Sequence, residues 1–255
     1  MQFPFEPKIF GFPIDTHFLF ETLGMVIGFR YYLHLRKKSN DTISDYNRIM
    51  ILVGAGLGAF VFSRLVGALE NPERWFASEN MLIYFFTNKT IVGGLTGGLI
   101  GVETMKKIIG EKKSSGDLLV FPICLAMIIG RIGCFMQGLQ EETYGIATEL
   151  PWGIDLGDGL RRHPVTLYEI LWLALFMLLL RIVINKTALR SGIQFKYFMI
   201  FYLTFRFLID FIKPVYQYSI GISAIQITCI AVLLYYSRTI YQTLFNRQLI
   251  YEKNG

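Results

Sequence analysis

Six charged residues interrupt long apolar runs of this sequence, where a charge requires a partner or a function. A charge at the centre of a bilayer costs at least about 2.5–3.5 kcal/mol. Three of the six are arginines. One guanidinium group can bind two oxygens of a phosphate through charge-assisted hydrogen bonds. The other three are carboxylates, which can neutralise and orient the arginines. The six residues are Glu21, Arg64, Arg131, Glu169, Arg206 and Asp210.

These six charges are predicted to meet in one place. Arg206 and Asp210 are four residues apart and therefore share a helix face. The six residues come from five predicted helices, and the loop charges discussed below place all of them in the outer half of the membrane. We therefore predict an interior cavity in which the arginines bind an anionic phospholipid head group. For Arg206 and Asp210, a purely structural ion pair stays open as an alternative.

The elements that must position these residues are apolar runs of about twenty residues. The chain has 255 residues, of which 53% are hydrophobic and only 17% charged, whereas a soluble domain has about 25% charged residues. The sequence predicts an all-α membrane protein of about seven transmembrane helices, a single polytopic domain over residues 1–255. The seven runs are 16–35, 48–69, 90–109, 118–139, 165–184, 195–212 and 222–240.

Loop charges predict the orientation of these helices. Basic residues concentrate between runs one and two, after run three, between runs five and six, and in the tail, where they include Arg238, Arg247 and Lys253. The positive-inside rule then places the N-terminus outside and the C-terminus in the cytoplasm of a bacterial inner membrane. The loop 140–164 faces the periplasm or cell exterior, and its length suggests a functional segment. Short basic clusters between apolar runs argue against nucleic-acid binding.

Glycines and cysteines add two further expectations. Glycine-rich runs in helices two and three, including Gly93 and Gly94, permit close helix packing, and they also permit close approach of a head group to the backbone. Cys124, Cys134 and Cys229 have no disulfide-framework or metal-ligand spacing. No metal and no cofactor is predicted.

Two longer motifs identify a family resemblance. GRIGCFMQG at 130–138 and RHPVTLYE at 162–169 resemble the GRIGNFxNGE and RHPSQLYE segments of the prolipoprotein diacylglyceryl transferases. FRFLIDF at 205–211 resembles the FRxxxEFxR segment of that family, with Lys213 at the position of its last arginine. The resemblance covers most of the chain in order, from about Gly54 to Pro214.

The resemblance implies a seven-helix enzyme that takes phosphatidylglycerol as its lipid donor. The family moves the diacylglyceryl group to a cysteine thiol of an exported lipoprotein precursor and releases glycerol phosphate. Catalytic residues expected from the resemblance and the charge pattern are Arg131, Arg206, Glu142 and His163. Expected substrate-binding residues are Arg64, Gly93, Gly94, Gly133, Gln137, Tyr168, Glu169, Asp210 and Glu21.

Three family positions differ in this chain. The histidine before the helix-three glycines is replaced by Val92 or Thr96, the asparagine of GRIGNF by Cys134, and the helix-one tyrosine by Glu21. His163 is therefore predicted to accept the proton, with Glu142 or Glu21 as alternatives. The replacements leave open a catalytically inactive phospholipid-binding paralogue, and the charges alone leave open a small transporter or channel.

Overall fold

The computed structural model describes residues 3–5, 7–9, 12–39, 41–245 and 251. Arg247 and Lys253, which were used to predict the orientation, lie outside these residues. Helices dominate the described part of the chain. The α-helices are α1 (Thr16–Lys38), α2 (Asp45–Leu69), α3 (Pro72–Ala77), α4 (Met81–Thr87), α5 (Ile91–Ile109), α6 (Val120–Gln137), α7 (Val165–Lys186), α8 (Ile193–Ile209), α9 (Ala224–Tyr235) and α10 (Ser237–Phe245).

The all-α prediction is nearly correct. Two short antiparallel hairpins accompany the helices. The first pairs β1 (Lys8–Ile9) with β2 (Phe12–Pro13), and the second, in the loop before α7, pairs β3 (Ile154–Asp155) with β4 (Arg161–Arg162).

All seven apolar runs contain a helix, but fewer satisfy the requirements of a membrane span. In the described part of the chain, three helical segments are long and apolar enough: Asp45–Leu69, Asp117–Gln140 and Val165–Lys186. A fourth is added if α9 and α10, which meet at 59°, form one broken span. The predicted run 222–240 is therefore not one straight helix, and α8 reaches only 17 residues.

Side-chain caps fix where several of these helices begin. Asp15 accepts a hydrogen bond from the backbone of Phe18 at the start of α1, and Thr90 accepts one from Gly93 at the start of α5. Ser223 and Gln226 form a reciprocal capping box at the start of α9. Each cap satisfies backbone N–H groups that the first helical turn leaves unpaired.

Glycines hold the helices in two close pairs. In the pair of α2 and α5, a Cβ atom at Gly58 would collide with the carbonyl oxygen of Gly97. In the pair of α1 and α6, a Cβ atom at Gly24 would lie 2.6 Å from the carbonyl oxygen of Ala126. The missing side chains thus allow backbone contact within each pair. The main apolar core lies elsewhere, where fully buried residues such as Leu173 and Leu203 pack among α6, α7, α8 and α9.

An ion pair fixes the turn between α1 and α2, at the opposite end of α2 from Arg64. Arg48 is only 3% exposed, and its Nη2 and Nε donate to the two carboxylate oxygens of Asp41 at 2.8 and 2.7 Å. Hydrogen bonding from Arg48 lowers the pKa of Asp41 from 3.8 to about 2. The turn is therefore locked by a bidentate, charge-assisted contact.

The α2–α5 contact predicts a position-specific effect of added bulk. We expect Gly58→Ala to lower the free energy of unfolding by about 1–3 kcal/mol, because the new methyl group overpacks the contact with Gly97. Gly56→Ala is the matched control, since a Cβ atom there meets nothing within 4 Å. Thermal unfolding in detergent measures both. Equal midpoints for the two variants would contradict the close pairing of α2 and α5.

The Asp41–Arg48 pair predicts a pH-dependent contribution to stability. Because the pKa of Asp41 is lowered on folding, the stabilisation is present above pH 4 and disappears as the pH falls from about 4 to 2. We expect Asp41→Asn to cost about 2 kcal/mol at pH 7, with the difference from the parent vanishing over that pH window. Asp45→Asn, at a side chain 90% exposed, is the control. A pH-independent deficit in Asp41→Asn would contradict the ionic origin.

Candidate functional site

A cavity of about 1630 Å³ separates the two glycine-mediated helix pairs. One wall is formed by α1 and α6, and the facing wall by α2 and α5. The middle of the cavity is apolar, with Leu95, Leu99 and Met127 in its walls. Charged side chains, including Arg64, Arg131 and Arg206, line the part near the ends of α2, α6 and α8. Charged side chains also line the opposite end, among them Glu103, Lys106 and Lys196. A cavity with an apolar middle and a buried arginine site at one end suits an amphipathic anion.

Glu169 joins the two most buried arginines of this cavity. Its Oε1 lies 2.9 Å from Arg131 Nε, and its Oε2 lies 3.3 Å from Arg206 Nη1. Glu169 is 1% exposed, Arg131 7% and Arg206 5%. The three residues belong to α7, α6 and α8, so one carboxylate connects three helices. Of the six charges predicted to meet, the structure joins Arg131, Glu169, Arg206 and Asp210, whereas Glu21 pairs with Lys89 and Arg64 lines the cavity without an ion pair among the described residues.

Further contacts hold the carboxylates in place. Tyr202 donates its hydroxyl to Glu169 Oε1 at 2.8 Å, and Ser223 donates to Asp210 Oδ2 at 2.8 Å. Asp210 Oδ1 in turn lies 3.4 Å from Arg206 Nη2. Tyr202, Arg206 and Asp210 recur every four residues and share one face. Two guanidinium charges are therefore balanced by two oriented carboxylates.

The guanidinium groups still have unused hydrogen-bonding capacity. The Nε atoms of Arg64, Arg131 and Arg206 are buried and find no hydrogen-bond acceptor in the described part of the chain. Arg131 Nε meets Glu169 as an ion pair without directing its N–H at the oxygen. Buried donors without acceptors are costly. An anion with several oxygens, such as a phosphate, can satisfy donors of this kind.

Arg64 and Lys213 are further cations in the lining of the cavity. The Arg64 guanidinium carbon lies 4.0 Å from the centre of the Phe60 ring, and neither Arg64 nor Lys213 forms an ion pair with a carboxylate among the described residues. Burial and the nearby charge of Arg206 lower the pKa of the Lys213 ammonium group. A bound anion would therefore find two cations that the described residues leave without an ion pair, Arg64 and Lys213, in a lining that also contains the carboxyl group of Glu70.

The predicted catalytic residues His163 and Glu142 are not part of this network. His163 is outside the cavity lining, and its Nδ1 lies 3.2 Å from the hydroxyl of Tyr168, which also accepts a hydrogen bond from Trp152. Glu142 is at the cavity mouth with its side chain 87% exposed, 3.9 Å from Arg74. The loop 140–164 therefore directs both side chains away from the buried arginines.

The predicted small and polar binding residues divide into packing and cavity positions. Gly94 lines the cavity, whereas the missing side chain of Gly93 allows contact with Phe62 of α2. Gly133 allows contact with α1, where a Cβ atom would lie 2.8 Å from Phe20 Cβ. Gln137 is buried and donates to Asp15 at 2.9 Å. The remaining predicted binding residue, Glu21, lines the cavity and is held by Lys89 at 2.6 Å.

His17 is a cavity residue that the sequence reasoning missed. It belongs to the first turn of α1, lines the cavity, and lies 3.5 Å from Cys134 and 3.6 Å from Glu21. Its spacing of four residues from Glu21 was the available signal, because that spacing places both side chains on one helix face.

The fold and the cavity define a class of protein: an apolar multi-helix bundle with a buried arginine site suited to an amphipathic anion. A family model described as prolipoprotein diacylglyceryl transferase matches residues 5–241. The chain belongs to the prolipoprotein diacylglyceryl transferase family.

Three curated relatives illustrate the similarity. The chain is 28% identical to a phosphatidylglycerol–prolipoprotein diacylglyceryl transferase of Geobacter sulfurreducens over 84% of each chain. It is 29% identical to the transferase of that name from Finegoldia magna, over 95% of this chain and 96% of the relative. It is 32% identical to the one from Clostridioides difficile, over 70% of this chain and 71% of the relative.

The network predicts a large cost for removing its central carboxylate. We expect Glu169→Gln to lower the free energy of unfolding by about 3–5 kcal/mol, because two buried guanidinium groups lose their shared counter-charge. Glu103→Gln is the matched control. The Glu103 side chain is 46% exposed, and its ion pair with Lys106 is worth at most about 1 kcal/mol. Unfolding in detergent measures both. A cost below that of the control would show that Glu169 does not neutralise the arginines.

Proposed function

We propose that this chain transfers the diacylglyceryl group of phosphatidylglycerol to a cysteine thiol of an exported lipoprotein precursor. Family membership supports the reaction type, since the curated relatives carry that activity in their names. The observation that carries the proposal for this chain is the pair of buried guanidinium groups of Arg131 and Arg206. They line one cavity from two helices, and Glu169 pairs with both.

The proposed reaction is a displacement at a glyceryl carbon. The acceptor thiol loses its proton, a sulfur–carbon bond forms, and the carbon–oxygen bond to the phosphate breaks. The electron pair of that bond leaves with glycerol phosphate. The developing negative charge lies on the phosphate, so donors directed at its oxygens lower the barrier. Arg131 and Arg206 supply these donors, and Arg64 and Lys213 offer further positive charge in the same cavity.

The roles of the other residues follow from their contacts. Glu169 and Asp210 orient the arginines, and the open backbone at Gly94 lets a head group approach α5. Glu142 of the outer loop and Tyr168 of the first turn of α7 guide the precursor peptide rather than contact the phosphate. His163, which faces Tyr168 instead of the cavity, orders that loop.

The proposed membrane arrangement follows the charge distribution of the loops. Seven helices cross a bacterial inner membrane, with the N-terminus outside and the C-terminus in the cytoplasm. The arginine site then lies in the outer half, open to the periplasm or cell exterior. Helices α3 and α4 expose apolar side chains such as Phe76 and Leu82, as helices lying in the outer interface do.

One observation favours the alternative of an inactive phospholipid-binding paralogue. Val92, at a position where the family resemblance implies a histidine, is 1% exposed and belongs to the apolar core. No proton can be transferred there. The paralogue would bind phosphatidylglycerol at the same arginines without turnover, so native mass spectrometry would detect the lipid while the transfer assay stayed negative.

The transfer activity can be tested in cells depleted of their own prolipoprotein diacylglyceryl transferase. We expect this chain to restore a mass-shifted, diacylglyceryl-modified lipoprotein. Arg131→Ala and Arg206→Ala should each lower transfer by about 100-fold or more, because each removes donors to the leaving phosphate. Arg181→Ala, at an exposed side chain of α7 remote from the site, is the control. Abundant, folded parent protein without any modified lipoprotein would refute the proposed activity.

A further inference from the structure

An imidazole, a thiol and three acidic or basic side chains meet beside the arginine network. His17 lines the cavity with its side chain 19% exposed. Its Nδ1 lies 3.5 Å from Cys134 Sγ and 3.4 Å from Glu141 Oε1, and its Nε2 lies 3.6 Å from Glu21 Oε2. Glu21 is held in turn by Lys89 Nζ, at 2.6 and 2.7 Å from its two oxygens.

This arrangement has the geometry of an oriented base. An imidazole that donates one N–H to a carboxylate presents the lone pair of its other nitrogen to a nucleophile. The Glu21 carboxylate lies 3.6 Å from Nε2, at ion-pair distance, while Nδ1 faces both the sulfur of Cys134 at 3.5 Å and Glu141 at 3.4 Å. In the tautomer that carries its proton on Nε2, Nδ1 presents its lone pair toward the sulfur. Glu141 and Glu21 also provide negative charge that stabilises the imidazolium formed when Nδ1 accepts a proton.

The base is connected to the phosphate site through one sulfur atom. Arg131 Nη1 lies 3.6 Å from Cys134 Sγ, the atom that His17 also contacts. Space beside this sulfur is therefore adjacent both to a proton acceptor and to a guanidinium donor. A displacement in which a thiol attacks a glyceryl carbon and a phosphate leaves needs a proton acceptor near the sulfur and a cation near the phosphate.

Other candidate bases are less well positioned. The chain has three histidines. His34 is exposed near the far end of α1, and His163 faces Tyr168 outside the cavity lining. Glu142, with 87% of its side chain exposed, remains at the mouth. Of the imidazoles, His17 is the one that lines the cavity.

We propose that His17 is the catalytic base that accepts the proton of the acceptor thiol, and that Glu21 is its positioning residue. The proposal rests on the proposed transfer activity. The thiol proton moves to Nδ1 of His17, the thiolate forms the sulfur–carbon bond, and the carbon–oxygen electron pair departs on glycerol phosphate held by Arg131 and Arg206. The imidazolium then loses its proton to water at the cavity mouth, on the side of His17 where the half-buried Glu141 lies.

The test uses the purified full chain in detergent with phosphatidylglycerol and a synthetic lipobox peptide. We expect His17→Gln to lower kcat by about 100-fold or more while leaving lipid binding, measured by native mass spectrometry, within about twofold of the parent. His34→Gln, at the exposed histidine of the same helix, is the matched control and should retain parent activity. Glu21→Gln should lower kcat less than His17→Gln.

The pH profile distinguishes a base from a structural residue. Activity of the parent should rise with pH as His17 becomes neutral, and the profile of His17→Gln should lack this step. Among the described residues, the charged or titratable groups that face His17 are Asp15, Glu21, Cys134, Glu141 and, behind them, Lys89 and Arg131. Glu21→Gln should shift the step to lower pH, because the imidazolium loses a stabilising charge.

A selenocysteine peptide provides a test that does not depend on the folding of any variant. A selenol is already ionised at neutral pH and needs no base, so the parent should lose its pH step with this acceptor, and His17→Gln should regain most of its activity. With the cysteine peptide, a His17→Gln variant as active as the parent would overturn the role of His17 alone, as would a pH step of the parent that persists with the selenol. A parent inactive on both peptides would overturn the proposed transfer itself and the role of His17 with it.

Discussion

The site depends on a carboxylate buried between two guanidinium groups. Removing Arg131 and Arg206 from water costs several kcal/mol for each charge, and only a close counter-charge makes their burial tolerable. Glu169 provides that charge from a third helix, and Asp210 and Tyr202 complete the arrangement. The same contacts that neutralise the arginines fix their direction. Helices α6, α7 and α8 are therefore held in a register that presents guanidinium groups to a cavity.

Glycine packing explains why a cavity exists beside this network. Within the α1–α6 pair and within the α2–α5 pair, most of the glycines lie where the two backbones touch. The remaining faces, with Gly94 and Gly98 among them, leave open space between the pairs. An apolar channel that ends at buried cations accommodates both parts of a phospholipid. The helix packing and the binding chemistry thus have a common origin in residues without side chains.

The sequence predicted the arginine network because burial makes such charges expensive and therefore informative. Arg131, Glu169, Arg206 and Asp210 stood out against apolar runs, and Arg206 and Asp210 shared a face by spacing alone. The seven apolar runs likewise predicted where helices form. Family membership, expected from two motifs, is confirmed by a match over residues 5–241.

Other features depend on tertiary contacts that no local pattern encodes. The 59° bend between α9 and α10 interrupts an apolar run without proline or glycine at the break. Gly133 contacts α1 because α1 and α6 pack closely, and Glu142 turns outward because of the path of the loop after α6. His17 was missed because an imidazole near a helix start carries no burial cost by itself. The proposed role of His17 depends on its contacts with Cys134 and Glu141, which lie more than a hundred residues away in the sequence.

The central claim is that one lipid phosphate is bound by guanidinium groups from separate helices. An experimentally determined structure of the full chain in nanodiscs containing phosphatidylglycerol tests it most directly. The account requires phosphate density at about 3 Å from donors of both Arg131 and Arg206, with the acyl chains running along the apolar part of the cavity. A head group bound elsewhere, with both arginines contacting only Glu169 and Asp210, would contradict it.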